Sequence, residues 1–191
     1  MRIISGLAGG VVLNVPKGEV RPTTDRVREA LFSILNPLIE NADVLDLFTG
    51  SGAFGLEALS RGAASAKMVD YARASCVVAK ENLAKTGLKG ANIVQGDAVQ
   101  FVRREILTGR KYDIIFADPP YCKGPADRDF VAELAEAGIA SLLRDSGVFI
   151  AEVQEGWGRG GIGSADIPGF ELLDVRRYGK NMLLFYQLPK D

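Results

Sequence analysis

The residues able to do chemistry in this sequence are mostly carboxylates, and they stand at the ends of apolar runs. Asp46 lies in the run Val44-Leu45-Asp46-Leu47-Phe48, four residues before the glycine turn Gly50-Ser51-Gly52-Ala53-Phe54-Gly55. Glycines at G-x-G-x-x-G spacing let a chain bend sharply from strand to helix, approach a ligand closely and pack the helix on the strand. The common ligand of such a turn is a dinucleotide, its pyrophosphate on the helix N-terminus. A carboxylate at Asp46 would repel that pyrophosphate and attract an ammonium group. S-adenosylmethionine carries a sulfonium and an amino-acid ammonium where a dinucleotide carries phosphates. It is therefore the expected cofactor, with Asp46, Phe48, Thr49, Gly50, Ser51 and Gly52 around its amino-acid end.

Two further acids follow apolar runs. Asp70 could accept both ribose hydroxyls, and Asp97, with Ala98 beside it, could accept from the adenine amino group. A dehydrogenase would also want Asp70, and Asp97 would serve equally as a plain helix cap. The most specific tetrapeptide is Asp118-Pro119-Pro120-Tyr121. Two prolines fix the backbone and remove two donors, so the Asp118 carboxylate and the Pro119 carbonyl form a rigid pair of acceptors. Such a pair suits the exocyclic amine of a nucleobase: gripping its hydrogens favours a more tetrahedral, nucleophilic nitrogen. Tyr121 would stack on a base extruded from its helix. The expected catalytic set is Asp118, Pro119, Pro120 and Tyr121, with Asp118 also beside the cofactor.

Composition excludes several alternatives. The 191 residues contain no histidine, which removes histidine triads and histidine-ligated zinc, and the two cysteines, Cys76 and Cys122, lack metal spacing. No metal is expected. Cysteine attack on a pyrimidine is a poor fit, because Cys122 follows Tyr121 and its basic neighbour is Lys123 alone; Cys76 reads as core. No apolar run reaches the length of a membrane span and the N-terminus does not read as a signal peptide, so a cytoplasmic protein with no membrane partner is expected. With a net charge of −1, nucleic-acid contact must come from local basic groups. Arg2, Lys17, Arg21, Arg26 and Arg28 form such a local excess, with Arg21, Thr23, Arg26 and Arg28 as the expected RNA contacts.

These residues need a scaffold. Residues 2–5 and 11–15 read as two strands joined by a glycine-rich turn, a hairpin that must dock elsewhere to be stable. A helix follows Pro22 and the Thr/Asp cap candidates, with Val27, Leu31, Ile34, Leu35 and Leu38 at helical spacing and Asn36-Pro37 as its stop. From Asp43 strands alternate with helices: strands at 44–48, 66–69, 92–95, 112–117 and 148–153, helices at 56–60, 74–85, 97–107 and 128–143. Alternation of this kind predicts a parallel sheet with right-handed crossovers. Strands at 170–177 and 182–188 close the chain as an antiparallel hairpin on a Gly179-Lys180-Asn181 turn. The expected fold class is α/β, a Rossmann-like class I methyltransferase fold with a mostly parallel seven-stranded sheet, which the terminal hairpin suits better than a dinucleotide fold. Residues 1–20 are expected to form a β-hairpin extension and residues 21–191 the methyltransferase domain.

The chain resembles the RsmD family of bacterial 16S ribosomal RNA guanine-N2 methyltransferases over nearly its whole length. The resemblance rests on Arg21-Pro22-Thr23-Thr24-Asp25-Arg26-Val27-Arg28-Glu29-Ala30-Leu31-Phe32, on the segment from Asp46 to Gly62, on Asp118-Pro119-Pro120-Tyr121 and on Arg177-Tyr178-Gly179. The first is the most family-specific, because the other motifs recur across amino-methyltransferases. The resemblance implies guanine in small-subunit rRNA as substrate, Asp118 at the amine and Tyr121 on the base, in a monomer acting on 16S rRNA or a small-subunit particle. Two departures stand out: Leu7-Ala8-Gly9-Gly10 occupies a turn where the family carries an aromatic or basic residue, and Asp70 stands where Glu is common. An adenine-N6 methyltransferase shares the motifs. A nucleotide-dependent oxidoreductase shares the glycine turn but needs neither Asp46 nor the double proline, and a non-catalytic RNA-binding module needs no cofactor pocket.

Overall fold

The computed structural model describes residues 1–16, 25–121, 127–157 and 165–190. Seven strands form one sheet in the order β3-β2-β1-β4-β5-β7-β6. The chain divides into two compact units, Met1–Asp97 and Ala98–Asp191.

In the first unit, α1 (Asp25–Ile39) precedes β1 (Asp43–Leu47), α2 (Ala53–Ser60), β2 (Ser65–Asp70), α3 (Arg73–Thr86) and β3 (Ala91–Gln95). β1 pairs in parallel with β2, and β2 with β3. β1 is buried on both faces, which is why its run is nearly all apolar, and every residue of α2 is buried as well. α3 stops where Gly87 enters the left-handed region at φ 65°, its N–H donating to the Leu83 carbonyl.

The second unit holds α4 (Ala98–Ile106), β4 (Tyr112–Ala117), α5 (Phe130–Glu136), β5 (Leu143–Gln154), β6 (Glu171–Tyr178) and β7 (Asn181–Gln187). β4 and β5 are parallel, whereas β7 runs antiparallel to both β5 and β6. This terminal reversal is the expected antiparallel hairpin. Its core is aromatic: the Phe149, Phe170 and Tyr186 rings lie 5.2 to 5.8 Å apart.

Several elements differ from expectation, among them α2, which starts at Ala53 rather than Leu56. α1 runs through Pro37 to Ile39. Ile39 completes the stripe Val27, Leu31, Leu35, Ile39 and is 2% exposed, so its burial carries the last turn past the proline, while Ile34 and Leu38 face solvent. The single helix expected at 128–143 is two pieces. α5 is capped by Asp129, whose Oδ1 accepts from the Val131 and Ala132 N–H groups, and a separate 3-10 turn, Ile139–Leu142, follows Gly138 at φ 88°. β5 begins at Leu143, five residues before its expected start.

The N-terminal hairpin shrinks to one antiparallel bridge, Arg2 with Val12, and a few flanking backbone bonds. Its backbone donors are spent on α2 instead. Ile4 and Ser5 donate to the Glu57 carboxylate at 2.7 and 3.1 Å, Leu7 to the Ser60 carbonyl at 2.8 Å and Ala8 to Ser60 Oγ at 2.9 Å. Gly6 allows this approach, because a Cβ there would fall 1.8 Å from the Ser60 carbonyl oxygen.

Candidate active site

The glycine turn is built from the end of β1. Phe48 ends the strand one residue earlier than expected by taking φ 63°, a left-handed conformation that a bulky residue seldom adopts and that marks stored strain. Gly50 and Gly52 also have positive φ, at 54° and 80°. Gly55 is needed for space: a Cβ there would lie 2.6 Å from Met68 Sδ, so its absence sets how closely α2 packs on β2.

Beneath the turn, Asp46 is 1% exposed. Its Oδ2 accepts from Thr49 Oγ1 at 2.5 Å and from the Gly55 N–H at 3.1 Å. Burial pushes its pKa up to about 7 against the pull of those two hydrogen bonds, and the charge of Asp70 pushes the same way. A carboxylate so poised gains most from a cation, which would restore its ionised form. Asp70 ties β2 to the turn: its Oδ2 accepts from the Gly50 N–H and its Oδ1 from the Ala72 N–H, each at 2.8 Å. Each of these oxygens keeps a further lone pair for a ligand hydroxyl. Asp97 is half-buried between β3 and α4, and Ala98 opens α4 as a buried residue. A buried carboxylate under the turn, a strand-end carboxylate with lone pairs to spare and side-chain-free glycines between them suit S-adenosylmethionine.

Sequence reading missed Asn82. It is fully buried on α3, donates to the Ser51 and Asn14 carbonyls at 2.8 and 2.9 Å, and accepts from the Asn14 N–H at 2.7 Å. Its signal was an amide on the stripe Ser75, Cys76, Ala79, Asn82, where an apolar residue would be ordinary. Cys76 is core, as expected; burial first and then the charge of Asp70 push its thiol up, away from reactivity.

In the second unit β4 delivers Asp118-Pro119-Pro120-Tyr121 just past Ala117. Asp118 and Tyr121 are half-buried, Pro119 buried and Pro120 exposed. Pro119, Pro120 and Tyr121 line a pocket with Glu152, Val153 and Gln154 from β5, Asp129, Phe130 and Val131 from the start of α5, and Trp157. Tyr121, Phe130 and Trp157 give its lining three aromatic residues. Glu152 is fully buried and its Oε1 accepts from Asn181 Nδ2 at 2.5 Å. Phe130, Glu152 and Trp157 were not among the expected site residues. The available signals were the acid inside the apolar run of β5 and the one tryptophan of the chain just beyond it. Cys122 lies outside the described residues, among which no group of three His, Cys, Asp or Glu could hold a metal.

A family model described as "Conserved hypothetical protein 95" matches residues 1–187. Ribosomal RNA small subunit methyltransferase D of Escherichia coli K12 is 45% identical over 148 residues, 77% of this chain and 68% of that protein. The chain belongs to the RsmD family. Another relative, a putative rRNA methyltransferase of Bacillus subtilis, is 34% identical over 154 residues, 80% of this chain and 82% of its own. The solved structure of a putative methyltransferase from Escherichia coli matches with a TM-score of 0.82 at 33% identity, covering 100% of this chain and 99% of that one. The seven-stranded sheet with its antiparallel end is thus the Rossmann-like class I methyltransferase fold.

Of the segment 21–32, residues 25–32 are among those described. Arg21 and Thr23 lie outside the described residues. Arg26 is exposed on α1, but Arg28, expected to contact RNA, is 2% exposed. Its Nη2 donates to the Arg2 carbonyl at 2.5 Å and to Asp25 Oδ1 at 2.8 Å. The residue belongs to the stripe Arg28, Phe32, Leu35, Ile39, so the helical period that buries α1 buries it too. No helix among the described residues is long and apolar enough to cross a membrane.

Proposed function

We propose that this protein transfers a methyl group from S-adenosylmethionine to the exocyclic N2 amine of a guanine in small-subunit ribosomal RNA. The observation that carries the reading is the Asp118-Pro119-Pro120-Tyr121 turn, opening on an aromatic pocket in a chain 45% identical to a small-subunit rRNA methyltransferase. Asp46, Phe48, Thr49, Gly50, Ser51 and Gly52 would hold the amino-acid end of the cofactor, Asp70 its ribose, and Asp97 with Ala98 its adenine, with Asp118 beside the methyl group. When bound, S-adenosylmethionine would supply a methyl group whose bond to the sulfonium sulfur breaks, releasing S-adenosylhomocysteine, a neutral thioether and excellent leaving group.

The chain's own work is then positioning and electrostatics rather than strong-base catalysis. Asp118 and the Pro119 carbonyl accept the two amine hydrogens, drawing the nitrogen lone pair out of the ring and toward the methyl carbon. Pro120 holds that turn rigid, and Tyr121 stacks on the extruded base. As the N–C bond forms the amine becomes cationic beside Asp118, which stabilises it until its proton passes to solvent. Arg21, Thr23 and Arg26 are assigned to RNA phosphates, contacts that position the substrate without reading sequence. Residues 1–20 are assigned as an extension of the methyltransferase domain 21–191, in a cytoplasmic monomer working on 16S rRNA or a small-subunit particle.

The test is to incubate the protein with methyl-labelled S-adenosylmethionine and small-subunit RNA and to digest the product to nucleosides. Label in N2-methylguanosine is expected. Label in N6-methyladenosine would assign the adenine chemistry that shares these motifs, and absence of transfer would contradict the reading.

A further inference from the structure

Among the described residues, the buried side-chain atoms without a hydrogen-bond partner are Nε and Nη1 of Arg28. The side chain is 3% exposed, so three N–H donors of a cation that does not deprotonate are out of water with no acceptor. Its ion pair with Asp25, at 2.8 Å, engages Nη2 alone. Buried charge left this way is costly, and a ligand anion is the natural remedy.

Its neighbours say where that anion would sit. The N-terminal segment runs along α2, with Ser51 Oγ 3.4 Å from Met1 Sδ at one end and Ile4 and Ser5 on Glu57 further on. The Arg2 carbonyl that anchors Arg28 therefore lies alongside the first turn of α2. One helical turn beyond Arg28, the Phe32 ring meets Phe54, the second residue of α2, at 5.0 Å between centroids. α2 begins at Gly52 with no side-chain cap, so its first N–H groups and its dipole also favour an anion. Asp46 lies under the same turn, its Oδ2 held by Thr49 Oγ1 and the Gly55 N–H. A buried carboxyl beneath the glycine turn and a buried guanidinium on the helix that packs against α2 are thus both present in this unit. A zwitterion, with an ammonium for one and a carboxylate for the other, complements both.

We propose that Arg28 binds the α-carboxylate at the amino-acid end of S-adenosylmethionine rather than an RNA phosphate; this rests on the cofactor reading above. The probe is a pair of ligands, S-adenosylmethionine and its decarboxylated analogue, which keeps the sulfonium and the amine. Each is titrated calorimetrically into the full chain and into Arg28→Met. A charged hydrogen-bonded contact predicts that the unaltered protein prefers S-adenosylmethionine by about 10- to 100-fold. Arg28→Met should lose that preference, its affinity for the decarboxylated compound changing less than about threefold, and its ligand-free form should melt no lower than the unaltered protein. Arg28→Lys should keep part of the preference.

Equal losses for both ligands in Arg28→Met would make Arg28 a support of the turn and overturn the inference. Preference intact in Arg28→Met, with RNA affinity lowered, would return the residue to phosphate binding. Should Arg28→Met fail to fold, absence of preference in the unaltered protein would itself overturn the assignment. Failure of the unaltered protein to bind S-adenosylmethionine would instead sink the cofactor reading, a distinct result.

Discussion

Asp46 is a carboxylate 1% exposed whose ordinary pKa of 3.8 is raised to about 7. Below about pH 4 both folded and unfolded chains hold its proton, and it leaves stability unchanged. Between about pH 4 and 7 the unfolded chain ionises while the folded one does not, so stability falls as pH rises, and above 7 the full penalty applies. A displacement from 3.8 to about 7 corresponds to a penalty on the order of 4 kcal/mol. Asp46→Asn lacks this slope, so urea midpoints measured from pH 4.5 to 8 should favour the variant progressively more. Parallel curves would contradict the raised pKa. At Asp118 the expectation is kinetic. If the carboxylate grips the amine chiefly in the transition state, Asp118→Ala collapses the single-turnover methylation rate and leaves cofactor affinity nearly intact. Wild-type turnover in the variant would remove Asp118 from the chemistry.

Among the elements, the junction of α2 and β2 is the tightest test of why the glycines are there. A Cβ at Gly55 would lie 2.6 Å from Met68 Sδ and 2.7 Å from Met68 Cγ. Gly55→Ala should therefore cost about 1 to 3 kcal/mol by overpacking. Met68→Ala opens room for that methyl, so the double variant should cost less than the two single changes added together, which denaturant unfolding of all four proteins would show. Additive losses would place the strain elsewhere. The strands were legible because their apolar runs are short, bounded by Gly or Asp and spaced by helical segments. Local pattern could not reveal the break at Gly138, since Ala137 and Ile139 on either side continue an apolar helical stripe. Nor could it show that the N-terminal donors bond to Glu57 and Ser60, residues more than 50 positions away. The glycine turn and the Asp118 turn were legible because each is contiguous. The pocket around Tyr121 is assembled from three separate segments, so the acid in the apolar run of β5 and the lone tryptophan beyond it could not be tied to Tyr121 from local pattern, and Phe130 had no mark at all. Arg28 looked like surface because a single charge on an apolar stripe is invisible until the stripe is seen to be buried.

For the molecule as a whole, a net charge of −1 means that RNA is held by a local patch. Each phosphate neutralised contributes roughly 0.7 to 0.9 to the slope of log affinity against log salt. Replacing Arg21 and Arg26 together by Gln should flatten that slope by about 1.4 to 1.8 if each meets one phosphate, with S-adenosylmethionine affinity unchanged. An unchanged slope would move the RNA surface elsewhere, for example to Arg176, Arg177 and Lys180 around the β6–β7 turn. The central claim is that this chain places one methyl group on a guanine amine of the small-subunit rRNA. The direct measurement is mass-spectrometric mapping of that RNA from cells with and without the protein, followed by treatment of the unmodified RNA with purified protein and S-adenosylmethionine. One guanine should lose an N2-methyl group in its absence and regain it on treatment; an unchanged small-subunit methylation map, or a change confined to adenines or to another RNA, would contradict the claim.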